Sequence, residues 1–274
     1  MSVQLFFTRT NNMKFSIRPA AFALFAILPM AGLPAQTLAG RDRWADSARV
    51  LIESGMQRGN PASIDAARVI LDRALTAFPN DPLLLHYQGY ALYRKATLAL
   101  GADPKADNGA LLDAARGALE ASGKNLPLPE TFALQSAVYG QIIAHSKNPI
   151  TAMTLGSKSS DAMTRAIAEG SKNPRVWLLR GIGAMFTPSM WGGGLDRAQE
   201  YLEKSVAFYQ NDNPAPPLPA WGHADAYIWL GQVYAKQGKA SAAHDAYQNA
   251  VKADPQNGWA RALFSGQAAP VANQ

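Results

Sequence analysis

Residues 224–257 carry a spacing of large and small side chains that few local structures satisfy. Counting Ala224 as position 1, bulky residues fall at positions 4, 7, 11 and 24 (Tyr227, Leu230, Tyr234, Tyr247) and small ones at 8, 20 and 27 (Gly231, Ala243, Ala250). Gly238 stands at 15 and Pro255 at 32. The pattern describes two antiparallel helices: the small positions let the axes approach and the bulky ones fill the remaining space. Gly238 suits the turn, and Pro255, which lacks a backbone donor, stops the second helix. Such a hairpin leaves apolar faces that only neighbouring hairpins bury, so one unit predicts others.

Four more can be placed upstream. The first uses Trp44 to Gly59 and Ser63 to Phe78, with Gly55, Ala67, Leu71, Ala74 and Pro79 at positions 8, 20, 24, 27 and 32. A second begins at Pro82 with Leu85 and Gly89, and an insertion of about 14 residues precedes Ala115, Leu119 and Pro127. The third begins at Pro129 with Phe132, Ser136 and Tyr139 and is lengthened similarly before Ala162, Ala166 and Pro174. The fourth runs from Pro174 through Trp177, Gly181, Ala198, Leu202 and Ser205. A proline-rich linker, 213–219, joins it to the last hairpin and cannot be helical.

This spacing resembles the tetratricopeptide repeat (TPR), a 34-residue helix-turn-helix unit. The resemblance implies an all-α fold of about five degenerate antiparallel hairpins, stacked in a compact curved right-handed solenoid. It covers residues 40–265, leaving 266–274 as a small, polar tail expected to be disordered.

Residues 1–39 read as a secretory signal peptide: Lys14 and Arg18 precede an apolar run from Ala20 to Leu33, with no acidic residue upstream. Met13 is the more natural start, and cleavage is expected after Ala39, or else after Ala35. The run is shorter than a membrane span and Pro29 interrupts it, so no stable span is expected after cleavage. Export places the protein in the periplasm or outside the cell. Removing Arg9, Lys14 and Arg18 takes the formal charge from +6 to +3 (23 basic against 20 acidic residues), and no basic stripe remains to argue for nucleic acid. The absence of cysteine excludes disulfides, thiolate metal sites and a lipidated cysteine.

Catalytic signals are missing. No His-Glu-x-x-His, Gly-x-Ser-x-Gly or phosphate loop occurs, and His86, His145, His223 and His244 stand at spacings unlike metal ligands. We therefore expect no enzyme, no metal and no cofactor.

Two segments are candidates for binding. Thr187, Pro188, Trp191, Gly192 and Gly193, followed by Gly194 and Ala198, resemble a segment of exported bacterial TPR proteins, among them the periplasmic T component of tripartite (TRAP) transporters. That family is thought to associate with a substrate-binding protein; a third glycine and the missing lipidation cysteine are departures from it. Read from the residues, the glycines supply positive φ and close backbone approach before a helix, and Trp191 is placed to plug the bundle end. An anion held at that helix N-terminus is the other reading.

The second candidate follows from the TPR resemblance, in which positions 2, 5, 9, 12 and 13 of each first helix line the concave side. They are His86, Tyr90, Tyr93 and Arg94 in the second hairpin and Leu178, Ile182, Met185 and Phe186 in the fourth. In the fifth, Asp225, Ile228, Gln232 and Lys236 take them. Ile228 and Gln232 replace the Lys and Asn of the clamp some members use for a terminal carboxylate. An apolar groove suits a protein or peptide partner, or a small apolar ligand, and leaves an oligomer open. If it binds, Tyr90, Tyr93, Ile182 and Phe186 should be accessible and clustered; in a compact bundle a neighbouring helix covers them.

Overall fold

A computed structural model describes residues 35–146 and 148–268. The expected signal sequence, apart from residues 35–39, and the end of the tail lie outside the described residues. Both expected cleavage points fall in the first turns of α1.

The described residues form eleven α-helices and no strand: α1 (Ala35–Arg58), α2 (Pro61–Ala77), α3 (Pro82–Ala102), α4 (Gly109–Asn125), α5 (Pro129–His145), α6 (Pro149–Glu169), α7 (Pro174–Phe186), α8 (Leu195–Tyr209), α9 (His223–Lys236), α10 (Ala240–Ala253) and α11 (Gly258–Phe264). One 3-10 turn, Ser189–Trp191, lies between α7 and α8. Local chemistry places the starts. Asn60, Asp81, Asn148 and Asn173 each accept a backbone N–H of the first turn, and a proline follows each one where its missing N–H costs nothing.

The first ten helices pair as five hairpins, and the small residues at position 8 sit at the closest approach. A Cβ added to Gly89, Gly181 or Gly231 would stand 2.4, 2.6 or 2.4 Å from Leu119, Leu202 or Tyr247. Ala243 and Ala250 are buried as the repeat requires. The insertion in the second hairpin is absorbed by a longer α3 and the loop 103–108, and that in the third by a longer α6.

Stacking is regular except at one junction. The second helix of each hairpin packs on the first helix of the next for α2 on α3, α4 on α5 and α8 on α9, but α6 barely touches α7, and α5 packs on α7 directly. The extra turn of α6 thus opens a seam between the third and fourth hairpins. The array curls until the start of α11 meets the end of α1, where a Cβ on Gly258 would stand 3.3 Å from the Gln57 carbonyl oxygen. Sequence reading left α11 unassigned. It caps the last hairpin, burying Ala260 and Leu263 beside Ile228 and Tyr247, and residues 265–268 close its end by backbone bonds to Arg261, Ala262 and Leu263.

Candidate functional site

The inner side of the array is a cup, and its floor is the linker between α8 and α9. Prolines keep this stretch out of any helix, so its side chains and carbonyls are free to bond across the interior. Tyr87 donates a hydrogen bond to the Pro217 carbonyl, and Tyr209 donates to the Trp221 carbonyl at 2.8 Å. The Trp221 ring stacks on Tyr90 at 4.8 Å. Gly222, at φ +101°, brings the chain so close to Tyr209 and Leu178 that a Cβ would stand 2.5 Å from the Tyr209 hydroxyl.

Charge pairs clamp the two ends of this floor. Arg175 of α7, 1 % exposed, holds Asp212 through two nitrogens at 3.1 and 2.5 Å, with Glu130 of α5 at 3.9 Å. Arg94 of α3 pairs with Asp225 of α9 at 2.9 Å, tying the second hairpin to the fifth across the interior. Between them His86 is buried, its Nδ1 sharing a 2.8 Å hydrogen bond with Thr131. Burial, and then the positive Arg175, push its pKa down to about 3, so the ring is neutral. Burial likewise raises the Tyr90 and Tyr209 hydroxyls well above their ordinary value.

Beyond the floor the cup opens into a cavity of about 2630 Å³. Its walls are the later turns of α3, α5 and α7, one face of α6, the loop 187–193 and the start of α11. At the mouth Phe186 meets Trp229 edge to face at 5.9 Å, and Trp229 meets Trp259 at 5.6 Å. Met153, Trp191 and Phe186 are 80, 75 and 46 % exposed there, which is unusual for side chains of this size.

The expected concave residues divide between floor and cavity. Tyr93, Arg94, Ile182, Met185, Phe186, Asp225 and Lys236 line the cavity; His86, Tyr90, Leu178 and Gln232 are buried away from it, and Ile228 is buried in the core of the last hairpin. Of the two alternatives for Tyr90 and Tyr93, open in a groove or covered in a compact bundle, the covered one holds. They are 1 and 5 % exposed, because the array curls tightly enough for the linker and α9 to cover α3. Ile182 is half-buried and Phe186 open. Thr187, Pro188, Trp191, Gly192 and Gly193 all line the mouth. Gly192 and Gly194 have φ of +83° and +102°, and a Cβ on Gly193 would stand 2.1 Å from the Thr187 carbonyl oxygen. Trp191 does not plug the bundle: it projects at the mouth.

Sequence reading missed the floor, because a proline-rich linker looks the same whether it spans a gap or fills a hole. It also missed Trp259, for which a signal existed: continuing the 34-residue count from Ala224 puts Gly258 at position 1 of a sixth unit and Trp259 at the concave position 2. Among the described residues no group of three His, Asp or Glu is placed to hold a metal ion, and no helix is long and apolar enough to cross a membrane.

The tetratricopeptide repeat model matches residues 224–257, the window of the strongest spacing. No curated protein matches the chain. Among solved structures, a thermophilic TPR protein from Thermus thermophilus aligns with a TM-score of 0.56 and 16% identity, over 80% of this chain and 97% of that one. The HusA haemophore from Porphyromonas gingivalis aligns at 0.55 and 22%, over 75% and 96%. The matched repeat and the shared fold define an all-α helical-repeat protein that carries a tetratricopeptide repeat at residues 224–257. That architecture is consistent with a scaffold for protein or peptide partners.

Proposed function

We propose that this protein is a non-enzymatic scaffold of the cell envelope that receives an apolar segment of a protein partner in its cup. The export signal read in residues 1–39 and the likeness of the 187–194 loop to periplasmic TPR proteins support the location. The observation that carries the binding role is the exposed cluster of Met153, Phe186, Trp191 and Trp259 around the cavity mouth. Large apolar side chains left exposed around one cavity mark an interaction site. At about 2630 Å³ the cavity also exceeds the ~300–1,000 Å³ that a small-molecule site ordinarily needs.

Phe186→Ser with Trp191→Ser tests this. Both side chains are exposed, so the double variant should keep the wild-type thermal transition while losing partners that the wild type retains by cross-linking in envelope fractions. Unchanged cross-linking would refute the reading. N-terminal sequencing of exported protein tests the location, and a product that begins before Ala35 and fractionates with membranes would overturn it.

A second reading, a carrier for a small apolar ligand, is favoured by the closed floor, since a blind cup retains a small molecule better than an open groove does. The haemophore named above has the same fold. Solvent extraction and mass spectrometry of the purified protein separate the two readings: a stoichiometric apolar compound supports the carrier.

A further inference from the structure

The cavity's walls are apolar, but its charge is one-sided. Among the described residues lining it, the cations are Arg58, Arg94, Lys95, Arg180 and Lys236 and the one carboxylate is Asp225; Asp225 pairs with Arg94, and Lys95 pairs with Asp65 of α2. Arg180 lies over the rings of Tyr201 and Trp177 at 4.3 and 5.4 Å and donates to the Tyr201 hydroxyl at 3.1 Å. No carboxylate among the described residues pairs with it. A guanidinium oriented on aromatic faces at the edge of a cavity is suited to an incoming carboxylate.

The shape of the walls adds a second constraint. Gly140 of α5, Gly156 of α6 and Gly183 of α7 all line the cavity, and a Cβ on any of them would meet nothing within 4 Å. Glycine is less favourable than alanine inside a helix. At Gly89, Gly181 and Gly231 the hairpin contacts require it, but at these three positions neither backbone angle nor packing does. Bare helix backbone does allow another helix to approach closely. A helix about 10 Å across occupies roughly 120 Å³ per residue, so the cavity has room for several turns.

We infer that the occupant of the cup is an amphipathic α-helix of a protein partner, bearing acidic side chains along its polar edge. Its apolar face lies against the glycine-backed walls and the Phe186–Trp229–Trp259 cluster, and its carboxylates meet Arg180. This rests on the protein-partner reading above and narrows it to one conformation and one sign of charge.

The test uses three synthetic peptides of about 20 residues, several turns of helix, titrated into the full chain by calorimetry: a leucine-faced helix with a glutamate polar face, the same helix with lysine, and the glutamate peptide broken by two central prolines. The glutamate helix should bind about tenfold or more tighter than the lysine helix, with an affinity that falls as salt rises. The proline-broken peptide should lose most of its binding. Arg180→Glu and Gly183→Leu should each weaken the glutamate helix by about tenfold or more, with the fold checked by an unchanged circular dichroism spectrum. Equal binding of the lysine helix, or of the proline-broken peptide, overturns this inference and leaves the protein-partner reading standing. If no peptide binds and extraction yields a bound apolar compound, both fall.

Discussion

Breaking the Arg175–Asp212 pair gives the sharpest test of how the floor is held. Asp212→Ala removes both oxygens that accept from the Arg175 guanidinium at 3.1 and 2.5 Å. The cation is left 1 % exposed, with Glu130 at 3.9 Å and the Tyr209 ring at 5.7 Å. A buried charge stripped of its partner typically costs about 3–5 kcal/mol. In a domain of this size each kcal/mol lowers the melting temperature by about 2–4 °C, so the variant should melt roughly 6–20 °C below wild type. Arg175→Met is also destabilising, because Asp212 loses its partner and Glu130, 5 % exposed, keeps the Asn173 amide but loses the nearby cation. In the double variant no cation is stranded, and its cost should fall short of the sum of the singles by about 2 kcal/mol. Urea unfolding followed by circular dichroism and by tryptophan fluorescence measures all four proteins, and coincidence of the two probes licenses the arithmetic. A loss below about 1 kcal/mol for Asp212→Ala, or strictly additive singles, would refute the claim that this pair clamps the linker.

Two glycines two residues apart on α7 should respond oppositely. Gly181→Val, whose Cβ would stand 2.6 Å from Leu202, should cost about 1–3 kcal/mol, whereas Gly183→Ala, facing open space, should stabilise by up to about 1 kcal/mol; urea midpoints decide both. Ala243→Leu should lower the melting temperature by forcing α9 and α10 apart, at about 1–3 kcal/mol, and an unchanged scan would contradict the packing there. His86, held neutral with a pKa of about 3, binds no proton between that value and about 6.5, where the unfolded chain does. Its contribution is therefore present above about pH 6.5 and is lost as pH falls, by about 2 kcal/mol at pH 5. The fall in stability from about pH 7 to 5 should be smaller in His86→Gln, and identical slopes would refute the assignment.

Much of the architecture is written locally. Proline at the first helical position, Asn or Asp before it, and small residues at position 8 act within one hairpin, so helix starts such as Pro82, Pro129 and Pro174 and the close approach at Gly231 follow from spacing. The lengthened hairpins were legible too, as was the backbone demand of Gly192 to Gly194. Which concave residues are open was not, because that depends on how far successive hairpins curl. Small angles at each junction accumulate over five units, and none is encoded in a single window. The accumulated curl brings α3 opposite α9 and buries Tyr90 under Trp221, while leaving Phe186 exposed at the mouth. The prolines determined that residues 213–219 would not be helical; only the tertiary structure made the linker between α8 and α9 a floor, because the interior was narrow enough for Tyr87, Tyr90 and Arg175 to reach Pro217, Trp221 and Asp212.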